Sequence, residues 1–211
     1  MLKLVAFDCD GVLFDSRGAN IAFYNTILAN FGRPPMSEEA VDYVHSHTFH
    51  QSLEHLFREP AELDKVLDFV RTFDYQPFIP MMLEEPYLRE FLKFLRPRVK
   101  TAVATNRTTT TRPVLIHHNL WDYFDVVVSA LDVSRPKPHP ESFWVILDRL
   151  AVKPEEAIYI GDSLVDEEFA RNAGVPLVAY RQPSLNAVYY LNSFAEAPAL
   201  IESLLSQTAK E

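Results

Sequence analysis

Two carboxylates one residue apart, Asp8 and Asp10, end an apolar run in the stretch KLVAFDCDGVLFDS, and glycine follows at once. Side chains alternate along a strand, so residues i and i+2 point the same way. A strand carried through both acids would crowd two negative charges onto one side. At about 4 Å that costs roughly 4 kcal/mol at an effective dielectric of about 20. A cation, a proton, or a bend at Gly11 that turns one acid aside would relieve it. Taken alone, the pair reads equally as a solvated turn after an edge strand, since Asp and Gly are ordinary turn residues. Three later stretches carry further groups with chemistry in them: Thr105 in ATNR, Lys137 between two prolines in SRPKPHPE, and Asp162 with Asp166 in GDSLVD.

The elements that must position these groups follow from the hydrophobic pattern. The chain has 211 residues, 48% hydrophobic and 23% charged, enough for one sizeable domain or one domain with an insertion. Apolar, β-branched segments recur as KLVAF, VKTAVAT, DVVVSA, EAIYIGD and VPLVAY. Such continuous runs predict strands buried on both faces. Between them, EEPYLREFLKFLR puts Leu88, Phe91, Leu92 and Leu95 on one helical stripe. PESFWVILDRL and LVDEEFARNAG predict two more helices, the second stopped by Gly174. This alternation predicts an α/β fold, a doubly wound parallel sheet with helices on both faces. Open parallel sheets bind ligands beyond the C-terminal ends of their strands. The acids, the hydroxyl and the ammonium all fall there. Chance places one polar residue at a strand end; four strand ends together need another reason.

One region breaks the rhythm. Residues 16–84 predict no strand, only the helix-like GANIAFYNTILANFG, SEEAVDYVHSHTFHQSLEHLF and AELDKVLDFVRTF. The expectation is a core of residues 1–15 and 85–211 with a helical domain inserted over 16–84, whose exit Pro77 and Pro80 restrain. Its histidines, His45, His47, His50 and His55, offer no i,i+4 metal pair. The net charge of −9 argues against a nucleic-acid partner. No apolar run reaches the ~20 residues of a bilayer span, and Asp8 cuts MLKLVAF short of a signal-peptide core. A lone Cys9 permits no internal disulfide, which fits a cytoplasmic location. Between two acids, its thiol is expected to be buried and poorly reactive.

In order, DCDGVLFD, the Thr of ATNR, the Lys of RPKPHPE and GDSLVD resemble the four motifs of the haloacid dehalogenase (HAD) superfamily. Val12 stands where threonine is commoner in that family. The helical insertion is similar in position to the C1 cap of phosphoglycolate phosphatase-like and β-phosphoglucomutase-like members, on a Rossmann-like core. The resemblance implies a nucleophile at Asp8 that forms an aspartyl-phosphate, and a general acid and base at Asp10. It implies Mg²⁺ held by Asp8, the Asp10 backbone carbonyl and Asp162, with Asp166 orienting a metal-bound water. Thr105 and the Asn106 amide would bind phosphoryl oxygens, and Lys137 would offset charge. A charge count agrees. Four carboxylates face Mg²⁺ and Lys137, one positive charge short, and a proton on Asp10 closes the gap.

The residues also weigh against this reading singly. Thr105 alone reads as a helix cap, Lys137 as a solvated loop lysine, and Asp166 as a favourable first-turn acid. Arg107 reads equally as a phosphate contact or a surface residue. The expected function is a Mg²⁺-dependent phosphatase of a small soluble phosphate monoester. A phosphomutase would need the same residues. A dehalogenase needs neither Asp10 as an acid nor a metal. A phosphonatase needs a cap lysine, and only Lys65 lies between Ser16 and Pro80. A receiver domain lacks a large cap. A catalytically silent scaffold on the same fold would usually have lost one of the set. The substrate and the oligomeric state are not legible.

Overall fold

The computed structural model describes residues 1–46 and 49–206. Its strands are β1 (Leu4–Phe7), β2 (Phe14–Asp15), β3 (Leu83–Glu84), β4 (Lys100–Ala104), β5 (Val126–Val128), β6 (Ala157–Gly161), β7 (Leu177–Tyr180) and β8 (Tyr189–Leu191). Six of them form one sheet in the order β5-β4-β1-β6-β7-β8, and every pairing in it is parallel. Leu4 is registered against both Lys100 and Ala157, so β1 lies in the middle, where the strand order reverses. That is the position at which doubly wound sheets open a crevice. The five expected strands are all present in this sheet and β8 is an addition, while β3 is a strand where the sequence of residues 16–84 predicts none. β2 and β3 pair separately, where the chain leaves and re-enters the sheet-bearing part.

The helices are α1 (Arg17–Asn30), α2 (Glu38–Ser46), α3 (Phe49–Leu56), α4 (Pro60–Thr72), α5 (Leu88–Leu95), α6 (Thr111–His117), α7 (Glu141–Leu150), α8 (Leu164–Ala173) and α9 (Ala197–Ser206). Alternation along β1 sends Leu4 and Ala6 to one face of the sheet and Val5 and Phe7 to the other. On the first face Ala6, Ala102, Ala104 and Ala179 are small, and Phe143 of α7 and Phe169 of α8 fill the layer with Tyr159. Tyr159 and Phe169 meet edge-on at 5.1 Å. On the second face Phe7 packs against Phe91 of α5 at 6.0 Å, and Phe91 stacks on Phe194 at 5.5 Å. Fully burying such aromatic side chains contributes about 1.5–3 kcal/mol each.

The chain divides into two compact units, Met1–Asp15 with everything from Glu84 onward, and Ser16–Leu83. The second unit is helical and has its own core. Phe23 lies edge-on to Phe73 and Phe78 at 5.6 and 5.7 Å, and Phe31 likewise meets Phe57 and Phe69. Arg33 closes this core, donating to the Leu56 carbonyl and to Glu62 while covering the Phe57 ring. Of the histidines here, His50 pairs with Glu54 at 3.3 Å and His55 stacks on Tyr43; His47 lies outside the described residues. Among the described residues no helix is long and apolar enough to cross a membrane.

Candidate active site

Asp8, Thr105 and Asp162 each occupy the first position after a strand, following β1, β4 and β6 in turn. Those three strands are neighbours in the sheet, so their ends deliver the side chains to one crevice. β1 stops at Phe7 instead of running through both acids. Gly11, at φ +76°, turns the chain, and its amide donates to the Phe14 carbonyl at 2.8 Å. A Cβ at Gly11 would stand 1.9 Å from Asp162 Oδ2. Only glycine fits this turn against that carboxylate. The bend therefore separates Asp10 from Asp8, one of the three forms of relief open to the sequence.

Asp10 finds a partner of its own. Arg107 Nη1 lies 2.5 Å from Asp10 Oδ1, with 9% of the arginine side chain and 32% of the aspartate side chain exposed. The sequence left Arg107 between a phosphate contact and a surface residue, and it is neither alone. It also changes the charge count. Lys137 and Arg107 against four carboxylates leave two negative charges, which one divalent cation balances.

Lys137 is buried, not a solvated loop lysine, and its ammonium is shared. Nζ lies 2.7 Å from Asp8 Oδ1 and 2.7 Å from Asp166 Oδ1, and donates to the Tyr159 hydroxyl at 2.8 Å. The loop bearing it is gripped by the Asn106 side chain, which donates to the Lys137 carbonyl at 3.0 Å and accepts from the Lys137 amide at 2.9 Å. Thr105 does not cap a helix, since α6 begins only at Thr111. Its Oγ1 accepts from the Arg107 amide at 3.1 Å, leaving its own hydroxyl proton to donate elsewhere.

Asp166 is wholly buried and committed on both oxygens. Oδ1 faces Lys137 and accepts from Tyr159 at 2.8 Å. Oδ2 accepts from the Ser163 hydroxyl at 2.6 Å, the Ser163 amide at 3.1 Å and the Asp162 amide at 3.3 Å. Ser163 in return caps α8 by accepting from the Asp166 amide. Asp166 thus does more than favour the helix dipole: it fixes the loop that carries Asp162. Tyr159, unmarked by the sequence reading, joins Lys137, Asp166 and the Ala104 carbonyl.

These contacts set the electrostatics. Burial pushes Asp8 up to about 7 against the pull of Lys137. Burial, with Asp8 and Asp166 nearby, pushes Asp162 up to about 8. Burial would raise Asp166 too, but the Lys137 charge and the hydrogen bonds from Lys137, Ser163 and Tyr159 outweigh it and hold Asp166 low. For Lys137, burial is overcome by Asp166 and Asp8, and the ammonium is held above its ordinary value. Burial and then the Asp10 charge push the Cys9 thiol well up, so it is no thiolate nucleophile.

Oxygens of Asp8, Asp162 and Asp166 lie within 4.8 Å of one another. Asp8 Oδ1 is buried and, beyond its ion pair, accepts no well-directed hydrogen bond. An all-oxygen donor set and, with all four carboxylates ionised, a surplus of two negative charges fit a hard divalent cation such as Mg²⁺. With Asp166 already committed, Asp8 and Asp162 are the carboxylates suited to hold it.

The site can be compared with known proteins. A model of the haloacid dehalogenase-like hydrolase family matches residues 5–180. A phosphorylated carbohydrates phosphatase of Thermotoga maritima is 30% identical over 192 residues, 88% of either chain. A phosphoglycolate phosphatase of Nitrosospira multiformis is 28% identical and covers 96% of this chain and 94% of its own. A solved HAD-superfamily hydrolase of subfamily IA from Geobacter sulfurreducens is 39% identical, with a TM-score of 0.83 over 95% of this chain and 96% of that one. The matched span takes in every side chain of the crevice, and the chain belongs to the haloacid dehalogenase-like hydrolase family.

Proposed function

We propose that the protein is a Mg²⁺-dependent phosphatase that hydrolyses a small soluble phosphate monoester through an aspartyl-phosphate on Asp8. The observation that carries this reading is the Asp8 carboxylate itself. It is buried at a sheet crevice, ion-paired through Oδ1 with Lys137 at 2.7 Å, and has Asp162 near it. The names of the relatives, a phosphatase of phosphorylated carbohydrates and one of phosphoglycolate, support the same reaction class.

A carboxylate oxygen of Asp8 attacks phosphorus, the P–O bond to the alcohol breaks, and Asp10 gives the departing oxygen its proton. Water then attacks the phosphorus, Asp10 takes a proton from it, and the Asp8–phosphorus bond breaks to release phosphate. Thr105 Oγ1 and the Asn106 amide donate to phosphoryl oxygens, and Lys137 offsets the charge gathering on them. Bound Mg²⁺, held by Asp8, Asp162 and the Asp10 carbonyl, would supply Lewis-acid charge neutralisation at the phosphoryl group. Asp166 keeps Lys137 and the Asp162 loop in place. The helical unit 16–83 serves as the cap that selects the alcohol.

A panel of phosphate monoesters assayed with Mg²⁺ tests the reading. Turnover should vanish on chelation and in a folded Asp8→Asn variant, and quenched wild-type enzyme should carry one phosphoryl group on Asp8. Wild-type turnover by folded Asp8→Asn would overturn it. Transfer of phosphate to a sugar in preference to water would mark a mutase instead.

A further inference from the structure

We infer that Arg107 is the positioning residue for the general acid and base, acting through Asp10 and tying its orientation to the phosphate-binding loop. The inference rests on the phosphatase reading above and adds to it a residue with its own role. Arg107 Nη1 grips Asp10 at Oδ1, at 2.5 Å. The arginine is the more buried partner, so the carboxylate is held from inside and its exposed part is left to meet the leaving group. A proton donor of this kind works only in a narrow geometry, and misplacement by about 1 Å can cost on the order of 100-fold in rate. Among the described residues Arg107 is the one side-chain partner of Asp10, whose bridge to Phe14 is a backbone one.

Arg107 is itself held on three sides. Its amide donates to Thr105 Oγ1 at 3.1 Å, its Nε donates to Thr110 Oγ1 at 3.3 Å, and its carbonyl accepts from the Ala130 amide at 3.0 Å. The residue that binds phosphate through its hydroxyl and the residue that aims the acid are therefore two positions apart on one braced loop. A shift of that loop moves both the phosphoryl contact and the acid. Lysine would restore charge at this position but not the planar fork that fixes direction.

The test is the dependence of kcat and KM on leaving group. Wild type, Arg107→Ala and Arg107→Lys are assayed with Mg²⁺ on an alkyl phosphate, whose alcohol must be protonated as it departs, and on p-nitrophenyl phosphate, whose phenolate departs unaided. Arg107→Met, which keeps the buried stem, stands in if the alanine variant does not fold. Arg107→Ala should lower kcat on the alkyl ester by about 100-fold, with a small change in KM, and on the aryl ester by less than about 5-fold. Arg107→Lys should recover part of the alkyl rate. In an Asp10→Asn background, Arg107→Ala should add no further loss specific to the alkyl ester. An equal loss on both esters, or an additive loss in the Asp10→Asn background, would overturn the positioning role and leave the phosphatase reading standing. Wild-type turnover of neither ester would overturn the phosphatase reading, and this inference with it.

Discussion

At the scale of single residues, the crevice is a place where burial and charge disagree. Asp8 and Asp162 are pushed to about 7 and about 8 from an ordinary 3.8, so between pH 4 and 8 the folded protein holds protons that the unfolded chain has released. Stability then falls as pH rises through that window. The contribution is fully present below the ordinary carboxylate value and lost above the folded one. A divalent cation bound by the two carboxylates would replace those protons. Thermal unfolding in EDTA should therefore show a lower Tm at pH 8.5 than at pH 6, and Mg²⁺ should raise Tm more at pH 8.5. An equal Mg²⁺ effect at both values would show that these two carboxylates do not take the ion. Most of this was legible in the sequence. Asp8, Asp10, Thr105, Asp162 and Asp166 stand out because polar groups end apolar runs, and Lys137 because prolines flank it. The Asp10–Arg107 pair was not legible, since it exists only once β4 lies beside β1. Tyr159 was hidden because an aromatic residue in a strand reads as core, and its hydroxyl gives no sign of where it will point.

At the scale of elements, turns and caps decide whether these residues meet. Gly11→Ala would force a left-handed φ on an L-residue and drive a Cβ to within 1.9 Å of Asp162 Oδ2. The turn or the carboxylate must move, so turnover and Mg²⁺ affinity should fall together while far-ultraviolet dichroism stays native. Unchanged Mg²⁺ affinity would mean the turn yields elsewhere. Ser163→Ala removes the α8 cap and a partner of Asp166, and should cost about 1 kcal/mol in chemical denaturation. The strands were legible because buried parallel strands are continuous apolar runs. Two helices were not, for one reason. Proline disfavours a helix interior, and α6 and α9 carry Pro113 and Pro198, yet each lies in a first turn, where the missing N–H has no helical partner to lose. β8 has three residues at the sheet edge, too short for any period to declare itself.

At the scale of the whole molecule, every side chain assigned to the chemistry belongs to the unit that bears the sheet, and none to Ser16–Leu83. Replacing the helical unit by that of a relative with a different substrate should therefore move substrate preference and leave Mg²⁺ dependence unchanged. Rates measured across an ester panel with and without metal check this; a transplant that lost its metal requirement would contradict it.

The register of β1 has a consequence in time. β1 is made before both of its partners, β4 and β6, with Leu4 opposite Lys100 and Ala157. The central strand must wait, unpaired and apolar, until β4 has been made, and half-paired until β6 follows. The helical unit closes its own contacts over a short span, and local contacts form sooner than distant ones. Synthesis should thus yield a folded insertion hung on an unfinished sheet, with β1 as the segment most in need of a chaperone. In pulse-labelled hydrogen exchange during refolding, amides of α1 should gain protection before those of Leu4–Phe7. The strand that ends at Asp8 would be among the last to be secured.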